Sequence, residues 1–242
     1  MYHSITFINS SNEEKNTWDD WYLIPSSRPV FNPPSVKTQY IDIPGANGQI
    51  DLTESLTGYP VYKNREGSLE FYVENGHKDW NVLYSEVMDF MHGQYLTAYL
   101  EDEPSYVYEG RFTVNEWKSD KWWSSIVIGY NLYPYKKERI GSLEDWLWDP
   151  FDFETGVIRE YKNLTVDGSL SLVIDATSEP ISPTVIVSNK GDGNLTVKVL
   201  EKTYTLQNGK NYLFDTVIRN TNTTMIFTGN GTVSVDYRGG EL

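Results

Sequence analysis

The chain has 242 residues, 39% hydrophobic and 14% aromatic, with a formal net charge of -14 at pH 7 and no cysteine. An acidic surface repels phosphate backbones and anionic lipid, so neither nucleic-acid binding nor a membrane-surface role is expected. The missing thiols exclude disulfides, thiolate metal centres and a cysteine nucleophile.

The length suits two domains better than one, and 8 Trp, 18 Tyr and 9 Phe supply the side chains for real cores. The opening MYHSITFINSSNEEK has no basic segment and only a short apolar run, so no secretory signal is expected there. No apolar stretch approaches the roughly 18 residues of a membrane helix. Without a secretory signal, the N-x-S/T sequons at Asn9, Asn163, Asn194, Asn222 and Asn230 read as by-products of turn-rich composition.

Through residue 135, HSITFI, WYLI, VKTQYIDI, SLEFYV, QYLTAYL, YVYEGRFTVNEW and WSSIVIGYNLYPY are rich in β-branched and aromatic residues, with Gly, Pro, Asn and Asp between them. These are strands of a half-buried sheet. KDWNVLYSEVMDFMHG breaks the pattern. Its Trp80, Leu83, Tyr84, Val87, Phe90 and Met91 recur at spacings of three and four, which predicts one helix stopping at Gly93. Lys78 and Asp79 fall at its start, and His92 falls at its end, where a cation suits the helix dipole.

KKERIGS, at 136–142, is short and charged and is expected to link two domains, 1–135 and 143–242. Beyond it, GVIREYKNLTV, SLSLVIDA, SPTVIVSN, NLTVKVL, KTYTL, KNYLFDTV, TTMIFTG and TVSVDYRGG are short strands, with turns expected at NKGDGN, QNGKN and TGNGT. That spacing predicts an antiparallel β-sandwich.

Catalytic readings of the acidic clusters compare poorly with plainer ones. Glu101, Asp102 and Glu103, followed by Pro104, read as a solvated hairpin tip rather than glycosidase carboxylates. Asp149, Asp152 and Glu154 match no calcium loop, and Trp146, Trp148, Phe151 and Phe153 around them read as apolar anchors for the connecting segment. The GDG at 191–193 lacks the helix and Lys-Ser/Thr of a phosphate loop and reads as a hairpin turn. His3, His77 and His92 have no metal-ligand spacing. No catalytic residue, metal site or cofactor is expected. Trp122 and Trp123 point to opposite sides of a strand, so one of them needs a cover, which a partner surface or a sugar would supply.

The unusual stretch is YIDIPGANGQIDLTESLTGYPVYKNREGSLEFYV, residues 40–73, a long Gly- and Thr-rich excursion between two strands. Together with the IPSSRPVFNPPSVKT approach, the single helix and the EGRFTVNEWKS and WWSSIVI strands, it resembles the N-terminal domain of the distal tail protein (Dit) family of long-tailed, non-contractile bacteriophages and related prophages. In the second half only WLWDPFDFETGVI looks characteristic. The resemblance implies a tail-tube-like β-sandwich with one flanking helix over 1–135 and a galectin-like β-sandwich over 143–242. It also implies a homo-hexameric ring continuing the tail-tube lumen, with tail-tube, tape-measure, tail-lysin or baseplate and receptor-binding proteins as partners. The virion tail tip, assembled in the bacterial cytoplasm, is the implied location. Ile43, Gly45, Gly48, Ile50, Asp51, Leu52, Thr53, Leu56 and Gly58 are then expected to form an interface or lumen hairpin, with Gln49, Asp51, Thr53 and Ser55 alternating against Ile50, Leu52 and Leu56. The other readings are a carbohydrate-binding adhesion module and, with no supported acid/base pair, a cell-wall glycoside hydrolase.

Overall fold

The structure, a computed structural model, describes residues 3–73, 79–119, 124–145 and 158–242. It is mainly β, and among the described residues no helix is long and apolar enough to cross a membrane. The chain divides into two compact units, Met1–Glu103 with Val107–Lys136 and Pro104–Tyr106 with Lys137–Leu242.

In the first unit the expected strands form β1 (Ile5–Ile8), β2 (Glu14–Asn16), β3 (Leu23–Pro25), β4 (Tyr40–Asp42), β5 (Gln49–Asp51) and β6 (Arg65–Val73). After the helix α1 (Trp80–Met91) come β7 (Tyr95–Leu100), β8 (Glu103–Ser119) and β9 (Ser124–Leu132). Strands β4 and β5 stand apart as a two-stranded sheet, and the others follow the order β2-β1-β7-β8-β9-β6-β3 with antiparallel neighbours. Ile5, Phe7, Phe71, Phe112, Ile126 and Ile128 are fully buried in its core, and Trp21 joins them from a loop.

Helix α1 buries Leu83, Val87 and Met91, the i, i+4, i+8 stripe that its sequence carries. The Asp79 carboxylate caps it by accepting from the N–H groups of Asn81 and Val82 at 2.9 and 3.4 Å. Gly93 ends it at φ +75°, and its N–H donates to the Phe112 carbonyl at 2.8 Å. Trp80 stacks on Trp117 of β8, ring centroids 4.0 Å apart. His92 lies just past the helix end, where its Nδ1 accepts the Val114 N–H at 3.1 Å beside the register shift in β8.

The second unit holds β10 (Lys136–Glu138), β11 (Leu164–Ile174), β12 (Thr184–Lys190), β13 (Thr196–Val199), β14 (Lys202–Thr205), β15 (Gly209–Tyr212), β16 (Thr223–Asp236) and β17 (Gly240–Glu241). Its main sheet runs β14-β13-β16-β12-β15, with β11 paired along β16 from Leu164↔Val233 to Ile174↔Thr223. The buried residues include Val185, Val197, Met225, Phe227, Val233 and Tyr237.

Two of the expected turns are not turns. TGNGT lies inside β16, and GDG connects β12 and β13, which do not pair with each other but follow one another along the same edge of β16. Within TGNGT, Gly229 serves close approach instead. Gly168 and Gly229 face each other across β11 and β16 with φ of +72° and +121° and turn both strands together. A Cβ on Gly229 would sit 2.4 Å from the Asn194 carbonyl oxygen, whereas one on Gly168 would meet nothing within 4 Å. Gly229→Ala should therefore destabilise the second unit by about 3 kcal/mol, since both strain and backbone collision apply. Gly168→Ala should cost only about 1 kcal/mol from its φ. Urea midpoints of the two variants measure the contrast, and equal losses would show that close approach is not what Gly229 serves.

The segment 136–142, expected as a charged linker between domains, belongs to the second unit from Lys137 onward. Strand β10 pairs with β17, and Glu138 and Ser142 are buried. The Ser142 hydroxyl donates to the Val235 carbonyl at 2.7 Å and accepts from the Tyr237 N–H at 2.8 Å.

Candidate functional site

The excursion of the first unit is a two-stranded arm. At its root Val36 bridges Tyr62, while the Lys37 N–H donates to the Val61 carbonyl and the Lys63 N–H to the Ser35 carbonyl, both at 2.8 Å. Further out β4 pairs β5 with Tyr40 opposite Asp51, Ile41 opposite Ile50 and Asp42 opposite Gln49. The period of two places Ile41 and Ile50 on one face and the polar residues with Tyr40 on the other. Gln49 Nε2 donates to Asp42 Oδ1 at 2.9 Å across that second face. Gly45 and Gly48, at φ +85° and +79°, let the chain reverse between the strands.

The alternation expected to continue through Ser55 and Leu56 stops at Asp51. The Thr53 N–H donates to the Asp51 carboxylate at 2.8 Å, and the Thr53 hydroxyl accepts from the Gln39 N–H at 3.2 Å, so the chain folds back on itself. The bond from Thr53 holds the Asp51 carboxyl below its ordinary pKa. Leu52 remains on the ribbon through its N–H to the Gln39 carbonyl. Beyond it, the Gly58 N–H closes a turn onto Glu54, with Gly58 at φ +74°. Every residue from 35 to 51 is exposed, including Tyr40, Ile41, Ile43 and Ile50, and Leu56 is 95% exposed.

A buried clamp lies beside the root of the arm. Arg65, buried at the start of β6, donates through Nε to the Pro134 carbonyl at 2.8 Å and through Nη1 to the Asn32 carbonyl at 3.2 Å. Burial pushes this guanidinium below its ordinary pKa. The Asn32 N–H donates to the Tyr130 hydroxyl at 2.9 Å, and Gly67 leaves room for that contact, since a Cβ there would sit 2.4 Å from the hydroxyl oxygen. Nothing in the sequence pattern around Arg65 announces this clamp, because its partners lie 33 and 69 residues away.

The carboxylates at 101–103 sit at the expected hairpin tip, with Leu100 of β7 opposite Glu103 of β8 and Glu101 exposed, but they are bonded to protein groups rather than to solvent alone. Glu101 accepts from the Ser4 N–H and hydroxyl, and Glu103 accepts from the Tyr108 hydroxyl and Lys136 Nζ. Burial and Glu103 together push the Tyr108 phenol above its ordinary pKa. Asp102, whose side chain is 13% exposed, accepts from His3 Nδ1 and Arg28 Nε, each at 2.8 Å. Burial raises its pKa, but the bonds from His3 and Arg28 more than offset this and hold the carboxyl below its ordinary value.

The Asp102 contribution is therefore complete above the unfolded carboxyl pKa of about 3.9 and is lost as pH falls through the lower folded value. Asp102→Asn should cost about 1 kcal/mol at neutral pH, a modest figure because Arg28 is largely exposed. The gap from the parent chain should close in acid below about pH 4. Thermal melts of both chains across pH 2–7 (about five settings) read this, and a gap that persists undiminished in acid would remove Asp102 as its source.

Trp122, Trp123, His77 and the 146–157 segment, with its aromatic and acidic residues, lie outside the described residues. Among the described residues no group of three or more His, Asp or Glu side chains is placed to hold a metal ion.

No family model and no curated protein matches the chain. Among solved structures it is similar to the crystal structure of the SPP1 Dit protein, described as a paradigm of the hub adsorption apparatus in phages infecting Gram-positive bacteria. The match covers 97% of this chain and 98% of that one, with a TM-score of 0.57 and 12% sequence identity. At that identity the likeness is one of fold, and it is the fold that the sequence resemblance implied.

Proposed function

We propose that this chain is the structural hub of a long-tailed phage or prophage tail tip, closing as a ring of six copies that joins the tail tube to the baseplate and host-adsorption apparatus. The observation that carries this reading is the fold shared with SPP1 Dit along nearly the whole of both chains. The arm supports it physically. A lone two-stranded ribbon with exposed isoleucines and free edges is unfavourable in water, and closure of copies into a ring supplies the missing partners and removes the edge. In this reading residues 1–135 form the ring and 143–242 a galectin-like outer domain. Tail-tube, tape-measure, tail-lysin or baseplate and receptor-binding proteins are the partners. The role is structural, without catalysis or cofactor, and the carboxylates at 101–103 serve the fold. Native mass spectrometry and negative-stain microscopy of the purified chain test it. A sixfold ring with a central opening is expected, and a chain that stays monomeric at every concentration overturns self-closure.

A second reading, a carbohydrate-binding module, has one observation in its favour. Tyr212 and Phe214 of the second unit stack with rings 5.4 Å apart and 14° from parallel, and both are largely exposed, a surface on which sugar rings pack.

A further inference from the structure

Resting on the ring reading, we infer that the arm of one copy crosses the β2-β1-β7 side of the next, with the root lysines Lys37 and Lys63 meeting an acidic cleft there. The two surfaces lie on one unit and complement each other. Around the Val36–Tyr62 bridge, Lys37 stands opposite Val61 and Lys63 opposite Ser35, so both lysines share one face of the root. Both are exposed, and neither has a carboxylate partner among the described residues. The cleft, about 670 Å³, is lined by Glu13, Asp20, Glu86 and Asp89 against a single Lys15, with Tyr95 beside them. Asp20 is engaged by Lys15 at 3.5 Å, while Asp89 has no partner among the described residues. An unpaired pair of lysines on one surface and an excess of carboxylates on another are what a contact between copies would match.

The strand register places these surfaces for a head-to-tail contact. Arg65 of β6 faces Leu132 of β9, Leu132 faces Gly110 of β8, and Gly110 faces Leu96 of β7, one continuous row across the sheet. Lys63 lies two residues before that row's first member, and Tyr95 of the cleft lies one residue before its last. Because three antiparallel steps separate β6 from β7, Lys63 and Tyr95 lie on opposite sides of that row, about three residues or about 10 Å apart along the strands and three strand spacings, roughly 14 Å at about 4.8 Å each, apart across the sheet. Strand β3 pairs only with Phe71–Val73 of β6, so the outer edge of β6 near the root carries no strand among the described residues. A surface on one side of the sheet that fits a different surface on the other side generates a heterologous contact, the kind that closes into rings. The exposed Ile41, Ile43 and Ile50 further along the arm would lie over the neighbour beyond the charged contact.

Reversing charge on either side tests the assignment. Lys37→Glu/Lys63→Glu places acid against acid, and Glu86→Lys/Asp89→Lys places base against base, so each variant alone should lose ring assembly, with association weakened about tenfold or more per interface. All four side chains are exposed, so monomer melting temperatures should match the parent chain. Mixed one to one, the two variants should recover the ring with copies alternating, because every arm then meets a cleft of opposite sign. Native mass spectrometry with one variant isotopically heavy reads the alternation as three heavy and three light copies. If the parent forms rings and either variant does so equally well, or the mixture fails to recover them, the arm docks elsewhere although the ring stands. A parent chain monomeric at every concentration overturns the ring and this contact together.

Discussion

Replacing residues 38–60 by Asn-Gly should abolish the ring while leaving the melting behaviour of the monomer unchanged. The cut keeps the Val36–Tyr62 bridge and the bond from the Lys37 N–H to the Val61 carbonyl, and a two-residue Asn-Gly turn suits the antiparallel pair that remains. No residue between 36 and 62 is buried, so the deletion removes no core contact, and shortening a loop changes closure entropy by under about 1 kcal/mol per halving. What disappears is the exposed apolar side chains Ile41, Ile43, Ile50 and Leu56 and the ribbon's free edges. Size-exclusion chromatography with light scattering at matched concentration separates the outcomes. Rings that survive the cut show that the arm is a surface loop without a role in closure.

The arm was legible in the sequence because its signals are local. Gly45 and Gly48 mark the reversal, Ile41 and Ile50 fall at the period of a strand, and the helix declares itself through Leu83, Val87 and Met91 at intervals of four. Signals set by distant partners were not legible. TGNGT has the composition of a turn, yet Gly229 is a glycine because the Asn194 carbonyl approaches it from another strand, and only the pairing of β16 with β13 reveals that. Glu101, Asp102 and Glu103 look solvated beside Pro104, but their partners Ser4, His3 and Arg28 lie more than 70 residues earlier or, like Lys136, 33 residues later. Where the sequence pattern ends at Asp51, the side-chain bond of Thr53 to that carboxylate redirects the chain, a competition between side chain and ladder that periodicity does not register.

The 136–142 segment misleads for the same reason, and it carries the largest expected loss of stability. KKERIGS reads as a charged connector, yet Glu138 is buried beneath Arg159, which donates Nε and Nη2 to the two carboxylate oxygens at 2.7 and 2.6 Å. Arg159 also donates Nη1 to the Asp175 carbonyl at 2.9 Å and lies 4.9 Å from the Tyr237 ring centroid, and the Gly239 N–H donates to Glu138 at 3.1 Å. Burial would lower the guanidinium pKa, but Glu138 outweighs it and holds Arg159 above its ordinary value, so the guanidinium stays charged. Glu138→Gln leaves a buried cation without its counter-charge and should destabilise the second unit by about 3–5 kcal/mol. Arg159→Met alone should do comparable harm by stranding the carboxylate, whereas Arg159→Met with Glu138→Leu removes both charges and should recover most of the loss. Hydrogen exchange locates the effect: amides of β16 that exchange through global opening of the unit should exchange about a hundred- to a few-thousand-fold faster in Glu138→Gln, while those of β9 in the first unit keep the parent rates. Uniform acceleration in both units would show that the pair stabilises the whole chain rather than the second unit, and no acceleration in β16 would show that the buried pair contributes nothing to its stability.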